Sequence, residues 1–360
     1  MVQIVNDYTA YPDVKNFSGK VCIACIFVNA VVHLYNGIGP DRARFAPITE
    51  RLQRGNIMPR RMLVVRNPKA GSFLSQNSFL EAAGVIFKSD YNVYVYSTTC
   101  RGDATRIVAE EGMEYDRVVA FGGDGTMNEV INGLLRLPEP VEVGYIPAGT
   151  TNDFAAGLGL SRNVTKAAET VLHGEPTPLD VGQFGGDRYF SYVASFGTFT
   201  KASYSAPQDV KNMLGYAAYL LEGLKSLSDI HSYHLTVTAD GTEWEDDFIF
   251  GAVSNAMSVG GVMKFSSSQV DLADGLFEVL MIRTPRSLAA LQELLLDVTT
   301  RHYAECDQIL YCKASEIRVQ CEKPVAWTVD GEAGGEHTEI TLRNCHHAIR
   351  ILKPKESDHA

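Results

Sequence analysis

From Arg61 onward, compact apolar runs alternate with stretches of helical spacing. Met62–Arg66, Tyr91–Ser97, Asp116–Ala120 and Val141–Ile146 read as strands, and the Val-rich third run suits a strand covered on both faces. Gln76–Lys88, Gly102–Glu111, Met127–Leu135 and Val164–His173 read as helices, with Asp103 near the positive end of the second. This alternation predicts an α/β fold built on an N-terminal doubly wound parallel sheet. The texture changes near Leu179. Leu179–Phe184, Arg188–Ala194, His234–Ala239, Glu245–Ser254, Leu276–Arg283, Glu316–Gln320, Val325–Val329 and Thr338–Leu342 are short and β-like. Helical stretches at Val210–Leu227 and Ser287–Thr300 interrupt them. Such a series predicts a C-terminal antiparallel β-sandwich, with the boundary near Pro176–Pro178.

Candidate chemistry lies at two glycine turns. The strand Asp116–Ala120 runs into Phe121-Gly-Gly-Asp-Gly-Thr126, and a helix follows. Strand, glycine turn and helix together direct backbone N–H groups and a helix N-terminus at phosphate. Gly122, Gly123 and Gly125 are read as positions of positive φ and close ligand approach, and Asp124 as an oxygen ligand for Mg²⁺ on the phosphates. Alone, such a turn merely redirects the chain as often as it binds phosphate. A second turn, Pro147-Ala-Gly-Thr150, ends the strand at Val141–Ile146 and precedes Thr151, Asn152 and Asp153. Ligands of open α/β sheets bind outside the carboxyl ends of the strands, so the two turns are expected to face one crevice.

These two segments resemble the diacylglycerol kinase catalytic family, whose soluble bacterial lipid kinases are most similar and whose sphingosine and ceramide kinases are more distant. Asn67-Pro-Lys-Ala-Gly71, Thr98-Thr-Cys-Arg-Gly-Asp-Ala104, Asp271-Leu-Ala-Asp-Gly-Leu276 and Asp330-Gly-Glu332 fit in order, so the resemblance spans Arg61 to Lys353. It implies an ATP-binding domain over residues 58–177, a lipid-substrate sandwich over 178–344, and residues 345–354 returning to the first domain. It implies that ATP is held by Asn67, Pro68, Lys69, Ala70 and Gly71, by Thr98, by Gly122, Gly123, Asp124, Gly125, Thr126, Asn128 and Glu129, and by Thr150, Asn152 and Asp153. Asp124 would orient the catalytic Mg²⁺ through water. Glu332 would be the general base on the lipid hydroxyl, oriented by Asp330. Asp271, Asp274 and the Leu276 carbonyl would hold a structural Mg²⁺. Diacylglycerol is the leading acceptor, ahead of sphingoid base, ceramide or phosphatidylglycerol. A homodimer visiting the membrane surface is also implied.

Each assignment has a plainer reading. Asp330-Gly-Glu332 is also a good hairpin turn, Asn128, Glu129, Thr150 and Asn152 also suit helix capping, and Asp271–Leu276 is also an acidic turn before a strand. Gly182–Thr200 and Met257–Phe265, with Phe196, Phe199, Met257 and Phe265, line either an acyl groove or the sandwich core. NAD kinase shares the Gly-Gly-Asp-Gly-Thr turn but carries its Asn-Glu pair farther from it than Asn152-Asp153 stands here. A non-catalytic nucleotide-binding module is the third reading, and the intact Asp124, Asp330 and Glu332 count against it.

The 360 residues suit two domains, and the net charge of −11 argues against nucleic acid as the partner. Seven cysteines without framework spacing suggest reduced thiols, hence a cytoplasmic protein, and the lipid substrate that the resemblance implies would make it peripheral at the inner membrane face. Cys22-Ile-Ala-Cys25 lacks a second ligand pair, and His346-His347 reads as a surface or strand-edge pair rather than as metal ligands. Val21–Tyr35 is apolar but short of the ~20 residues of a membrane span. Residues 1–57 therefore read as an extension, either upstream over-translation before Met58 or a membrane-docking appendage.

Overall fold

The computed structural model describes residues 21–22, 60–68, 75–197, 231–256, 258–259, 263–264, 271–300 and 306–355. The N-terminal half contains strands β1 (Val21–Cys22), β2 (Arg61–Arg66), β3 (Asn92–Ser97), β4 (Arg117–Gly122) and β5 (Glu142–Pro147). Helices α1 (Ser75–Ile86), α2 (Asp103–Glu111), α3 (Asp124–Leu134), α4 (Asp153–Gly157) and α5 (Val164–His173) connect or follow them. The sandwich half contains β6 (Glu175–Phe184), β7 (Arg188–Phe190), β8 (Val193–Gly197), β9 (Tyr233–Ala239), β10 (Thr242–Ser254), the pair β11 (Ser258–Val259) and β12 (Met263–Lys264), and β13 (Phe277–Arg283). Helix α6 (Leu288–Thr300) and strands β14 (Ile309–Ala314), β15 (Glu316–Val329) and β16 (Glu332–Lys353) complete it. The expected helix at Val210–Leu227 and the residues Phe199, Met257 and Phe265 lie outside the described residues.

Strands β3, β2, β4 and β5 pair in parallel, and β1 adds antiparallel to β3. Continuous apolar runs form them because both faces are covered. Leu63, Val65, Val118 and Ala120 pack on one side with residues of α2 and α3. Met62, Val64, Val119 and Phe121 pack on the other with residues of α1 and α5. The expected α/β doubly wound sheet is therefore present, and helix lies on both faces.

Strand β16 joins the two halves. It pairs antiparallel with β15 from Glu332 to Arg343, then bulges between Cys345 and Ile349, and Ile351 pairs in parallel with Val143 of β5. The boundary expected at Pro176–Pro178 falls inside a strand: β6 is continuous and pairs Pro176 with Leu352 and Pro178 with Arg350. Two prolines at alternate positions direct their missing N–H groups to one side, which an edge tolerates. Arg188–Ala194, expected as one strand, is split at Ser191 and Tyr192. The pairs Glu316–Gln320 and Val325–Val329 fuse into the bulged β15. The sandwich encloses Phe190, Phe196, Phe248, Phe277, Trp327 and Val329, so Phe196 is core rather than groove lining.

Candidate active site

The two glycine turns touch. Gly122 of β4 is paired with Pro147 of β5, and the Ala148 N–H donates to the Gly122 carbonyl at 2.7 Å. A Cβ on Gly149 would stand 2.6 Å from the Gly123 Cα and 2.7 Å from Asn152 Oδ1, and one on Gly122 would stand 2.4 Å from Thr126 Oγ1. None of Gly122, Gly123 and Gly125 has positive φ. The expectation of left-handed turns is thus corrected: close packing requires glycine at 122 and 149, a Cβ on Gly123 would stand a tight 3.3 Å from the Gly149 Cα, and one on Gly125 would meet nothing within 4 Å. Asn152 does adopt φ 52°, and its amide exchanges two hydrogen bonds with Gly149, at 3.0 and 2.9 Å. Gly149→Ala should part the turns, with ATP binding by calorimetry weakened at least about tenfold, the effect of ~1.4 kcal/mol; unchanged affinity would show that the contact is incidental.

Asp124 opens α3 and at the same time caps α4. Its Oδ2 accepts the Asp153 N–H at 2.9 Å, and its Oδ1 accepts the Phe154 N–H at 3.3 Å and the Tyr145 hydroxyl at 3.2 Å. Burial pushes its pKa up, and the bonds from Asp153, Tyr145 and Phe154 oppose that. Two helix N-termini converge on this carboxylate, the electrostatic setting of an anion or metal-phosphate site. Three donors leave one of the roughly four acceptor positions of a carboxylate, which fits an oxygen ligand for a hard cation or its water. Asp153 and Thr150 are exposed beside it, and Thr126 is buried.

Glu129 ties two helices together. Its carboxylate accepts the N–H groups of Gly102 at 2.9 Å and Ala104 at 3.2 Å and so caps α2, a neighbouring helix. The loop entering α2 is held by Asp103, which accepts the Thr99 N–H and hydroxyl at 2.9 and 3.1 Å, the Tyr96 hydroxyl at 3.0 Å and Arg106 at 2.6 Å. Burial alone would raise its pKa, but these donors hold it down at about 2. Its stabilisation is present above the ordinary 3.8 and is lost as pH falls towards about 2. Asp103→Asn should therefore cost about 2 kcal/mol at neutral pH. Urea midpoints of the two proteins should converge at low pH, and a cost independent of pH would contradict the assignment.

The Asp330-Gly331 pair is a hairpin turn and a site element at once. Val329 pairs with Glu332, and both turn residues have positive φ, 47° and 80°, the type I′ pattern. The Asp330 carboxylate accepts Asn128 Nδ2 at 2.6 Å, the Ser191 N–H at 2.8 Å, the Ser191 hydroxyl at 3.0 Å and the N–H groups of Tyr192 and Val193, each at 2.9 Å. Burial pushes its pKa up against these donors. The break between β7 and β8 is what frees the N–H groups of Ser191 and Tyr192 for it. Asn128 stands four residues after Asp124, on the same side of α3. Asn128 is thus a strut that seats the Glu332 hairpin on the glycine-turn helix. Asn132 reinforces it by exchanging hydrogen bonds with the Tyr189 backbone, donating at 3.1 Å and accepting at 3.0 Å.

Glu332 itself is half-exposed. Arg101 Nη2 donates to its Oε2 at 2.5 Å, and Arg188 Nη2 lies 3.9 Å away. Arg101, Asn132 and Ser191 are site residues that the sequence reading misses; only the placement of Arg101 inside Thr98–Ala104, and of Asn132 four residues after Asn128, points to them. The Asn67 N–H donates to the Phe121 carbonyl at 3.1 Å and that of Thr98 to the Arg66 carbonyl at 2.9 Å, which places both at the ends of β2 and β3, and Pro68 is exposed. Lys69, Ala70 and Gly71 lie outside the described residues.

In the acidic turn, Asp271 accepts the Ala273 N–H and Asp274 the Leu276 N–H, each at 3.0 Å. Lys313 Nζ is 3.1 Å from Asp274 Oδ2 and 3.4 Å from Glu278 Oε1. The donor set is all oxygen, as a hard cation requires, and the lysine ammonium sits where a cation on Asp274 Oδ2 would sit.

Residues 61–184 match the diacylglycerol kinase catalytic domain, and residues 193–353 match the YegS C-terminal NAD kinase beta sandwich-like domain. A diacylglycerol kinase of Bacillus subtilis (strain 168) is 32% identical over 299 residues, covering 82% of this chain and 97% of that protein. One from Staphylococcus aureus (strain JH9) is 30% identical over 301 residues, covering 83% and 94%. Among solved structures, a diacylglycerol kinase of Bacillus anthracis (Sterne) superposes with a TM-score of 0.62 at 22% identity, over 83% of this chain and 98% of that one. A second chain from that organism reaches 0.68 at 22% identity, over 83% and 96%, and these two show the fold. No helix among the described residues is long and apolar enough to cross a membrane. With both halves of the chain matched and the fold shared, the protein belongs to the diacylglycerol kinase catalytic family and is an ATP-dependent lipid kinase.

Proposed function

We propose that the acceptor is diacylglycerol, so that the reaction makes phosphatidic acid. The relatives that the chain matches over nearly their whole length are diacylglycerol kinases. The observation that carries the site assignment is the Asp330–Asn128 strut at 2.6 Å, which ties the Glu332 hairpin to the helix opened by Asp124. ATP lies across the touching glycine turns, its phosphates towards the start of α3, with Asn67 and Thr98 at the adjoining strand ends. Asp124 would hold Mg²⁺ through water, and the ion would supply charge neutralisation on the phosphates. Asp271, Asp274 and the Leu276 carbonyl would hold a second, structural Mg²⁺ once the Lys313 ammonium, 3.1 Å from Asp274 Oδ2, turns aside. Glu332 takes the proton of the lipid hydroxyl as that oxygen attacks the γ-phosphorus, the bond from phosphorus to the β,γ-bridging oxygen breaks and ADP leaves, and Asp330 and Arg101 hold Glu332 in place. The enzyme works as a homodimer on the cytoplasmic membrane face, and the free thiols of Cys100, Cys306, Cys312, Cys321 and Cys345 suit that compartment.

Transfer of labelled phosphate from ATP to a mixed-micelle panel tests this. The panel holds diacylglycerol, sphingosine, ceramide and phosphatidylglycerol, with and without Mg²⁺. Labelled phosphatidic acid as the main product supports the reading, and another phospholipid product replaces the acceptor while keeping the chemistry. Loss of Mg²⁺ dependence would remove the metal roles.

A further inference from the structure

The bulge of β16 carries a second cluster of metal-binding side chains, away from the glycine turns. Asp180 of β6, His346 and His347 bring one donor atom each within 4.8 Å of one another. By sequence the two histidines are a surface pair, but the fold places a buried carboxylate behind them. Asp180 is fully buried, and among the described residues its sole ion-pair partner is His346, whose Nδ1 lies 3.1 Å from its Oδ1. A buried carboxylate without a permanent cation is costly unless something neutralises it. Its remaining contacts are backbone donors, the N–H of His347 at 2.8 Å and that of Gly275 at 2.7 Å.

We propose that Asp180, His346 and His347 form a binding site for a divalent transition ion of the Zn²⁺ class at the junction of the two halves. Two adjacent ligands on an ion with bonds of about 2.0–2.2 Å stand roughly 3 Å apart, and the His346–Asp180 separation of 3.1 Å matches that span. His347 has φ 51° and stacks its ring on that of His346 with centroids 3.7 Å apart and planes 28° apart, so a second imidazole stands beside the first and one exposed ring must rotate for both lone pairs to meet at one ion. His347 Nε2 is 3.2 Å from the Ala273 carbonyl, a contact that orients this ring and leaves Nδ1 for the ion. Both imidazoles reach solvent, so an ion can enter. Two imidazoles with one carboxylate select Zn²⁺, Co²⁺, Ni²⁺ or Cu²⁺ over Mg²⁺, which sets the site apart from the all-oxygen acidic turn. An ion here would tie β6, the β16 bulge and the turn around Ala273 together.

The test is Zn²⁺ titration of the full chain, stripped with EDTA and then freed of it, in excess Mg²⁺, followed by calorimetry and by elemental analysis after dialysis. One Zn²⁺ per chain is expected, with a rise in Tm. His346→Gln and His347→Asn should each weaken binding at least about tenfold. Asparagine tolerates positive φ, so the second variant removes the ring while keeping the bulge. Co²⁺ should give ligand-field absorption that both variants lose. No retained Zn²⁺, or Zn²⁺ binding equal in wild type and both histidine variants, would overturn the proposal.

Discussion

Glu332→Gln is expected to lower kcat for lipid phosphorylation by about 10²–10⁴, the usual worth of a general base, with little change in the KM for ATP. The physical case rests on what the carboxylate touches. Its side chain is 41% exposed and its partners are the exposed Arg101 and the more distant Arg188. A surface pair of this kind contributes at most about 1 kcal/mol, so the variant should fold and melt almost as the parent does. Glutamine keeps the shape and removes only the ability to take a proton. Asp124→Ala is the less clean companion, because it also strips the cap from α4. Steady-state rates on diacylglycerol micelles decide the point. If Glu332→Gln retains a tenth or more of the parent's kcat, another group takes the proton.

Asp330→Ala should act in the opposite way, through folding. Five hydrogen bonds end on this carboxylate, three of them from backbone N–H groups at the β7–β8 break. Each buried donor left without a partner costs about 1–3 kcal/mol, and water entering the space recovers part of that. A net loss of about 3–5 kcal/mol is expected, within the range for breaking a buried polar network. Alanine also fits φ 47° poorly, whereas Asp330→Asn preserves the left-handed turn and should lose less. Urea unfolding of the three proteins measures this, with Asn128→Ala as a one-bond reference. A loss under about 1 kcal/mol for the alanine variant would mean that the hairpin is held elsewhere and that Asp330 does not seat Glu332.

Much of the fold was legible because its physical causes are local. Val118, Val119, Ala120 and Phe121 pack on alternate faces of a doubly covered strand, which makes an uninterrupted apolar run. Val164–His173 has the same bounds in sequence and structure because Asn163 caps it through the Lys166 N–H at 3.0 Å and Gly174 ends it. The glycine turns were visible as candidates, but the reason for their glycines was not. A need for positive φ is a property of one residue, whereas the collision of Gly149 with Gly123 belongs to two strands brought side by side.

Pattern and residue type by themselves determined the α/β half, the β-rich half and the shortlist of carboxylates. Only the tertiary structure decided what each carboxylate does. Asp124, Glu129 and Asp330 all read as acids near glycine or turn residues, yet one caps α4 between two helix ends, one caps α2 and one collects five hydrogen bonds, while Asp180, which no sequence pattern singles out, lies buried behind two histidines. A carboxylate's role depends on which donors reach its oxygens and how much water is excluded. Those donors come from residues up to about two hundred positions away, as Asn128 does for Asp330, and no local pattern of side chains encodes that distance.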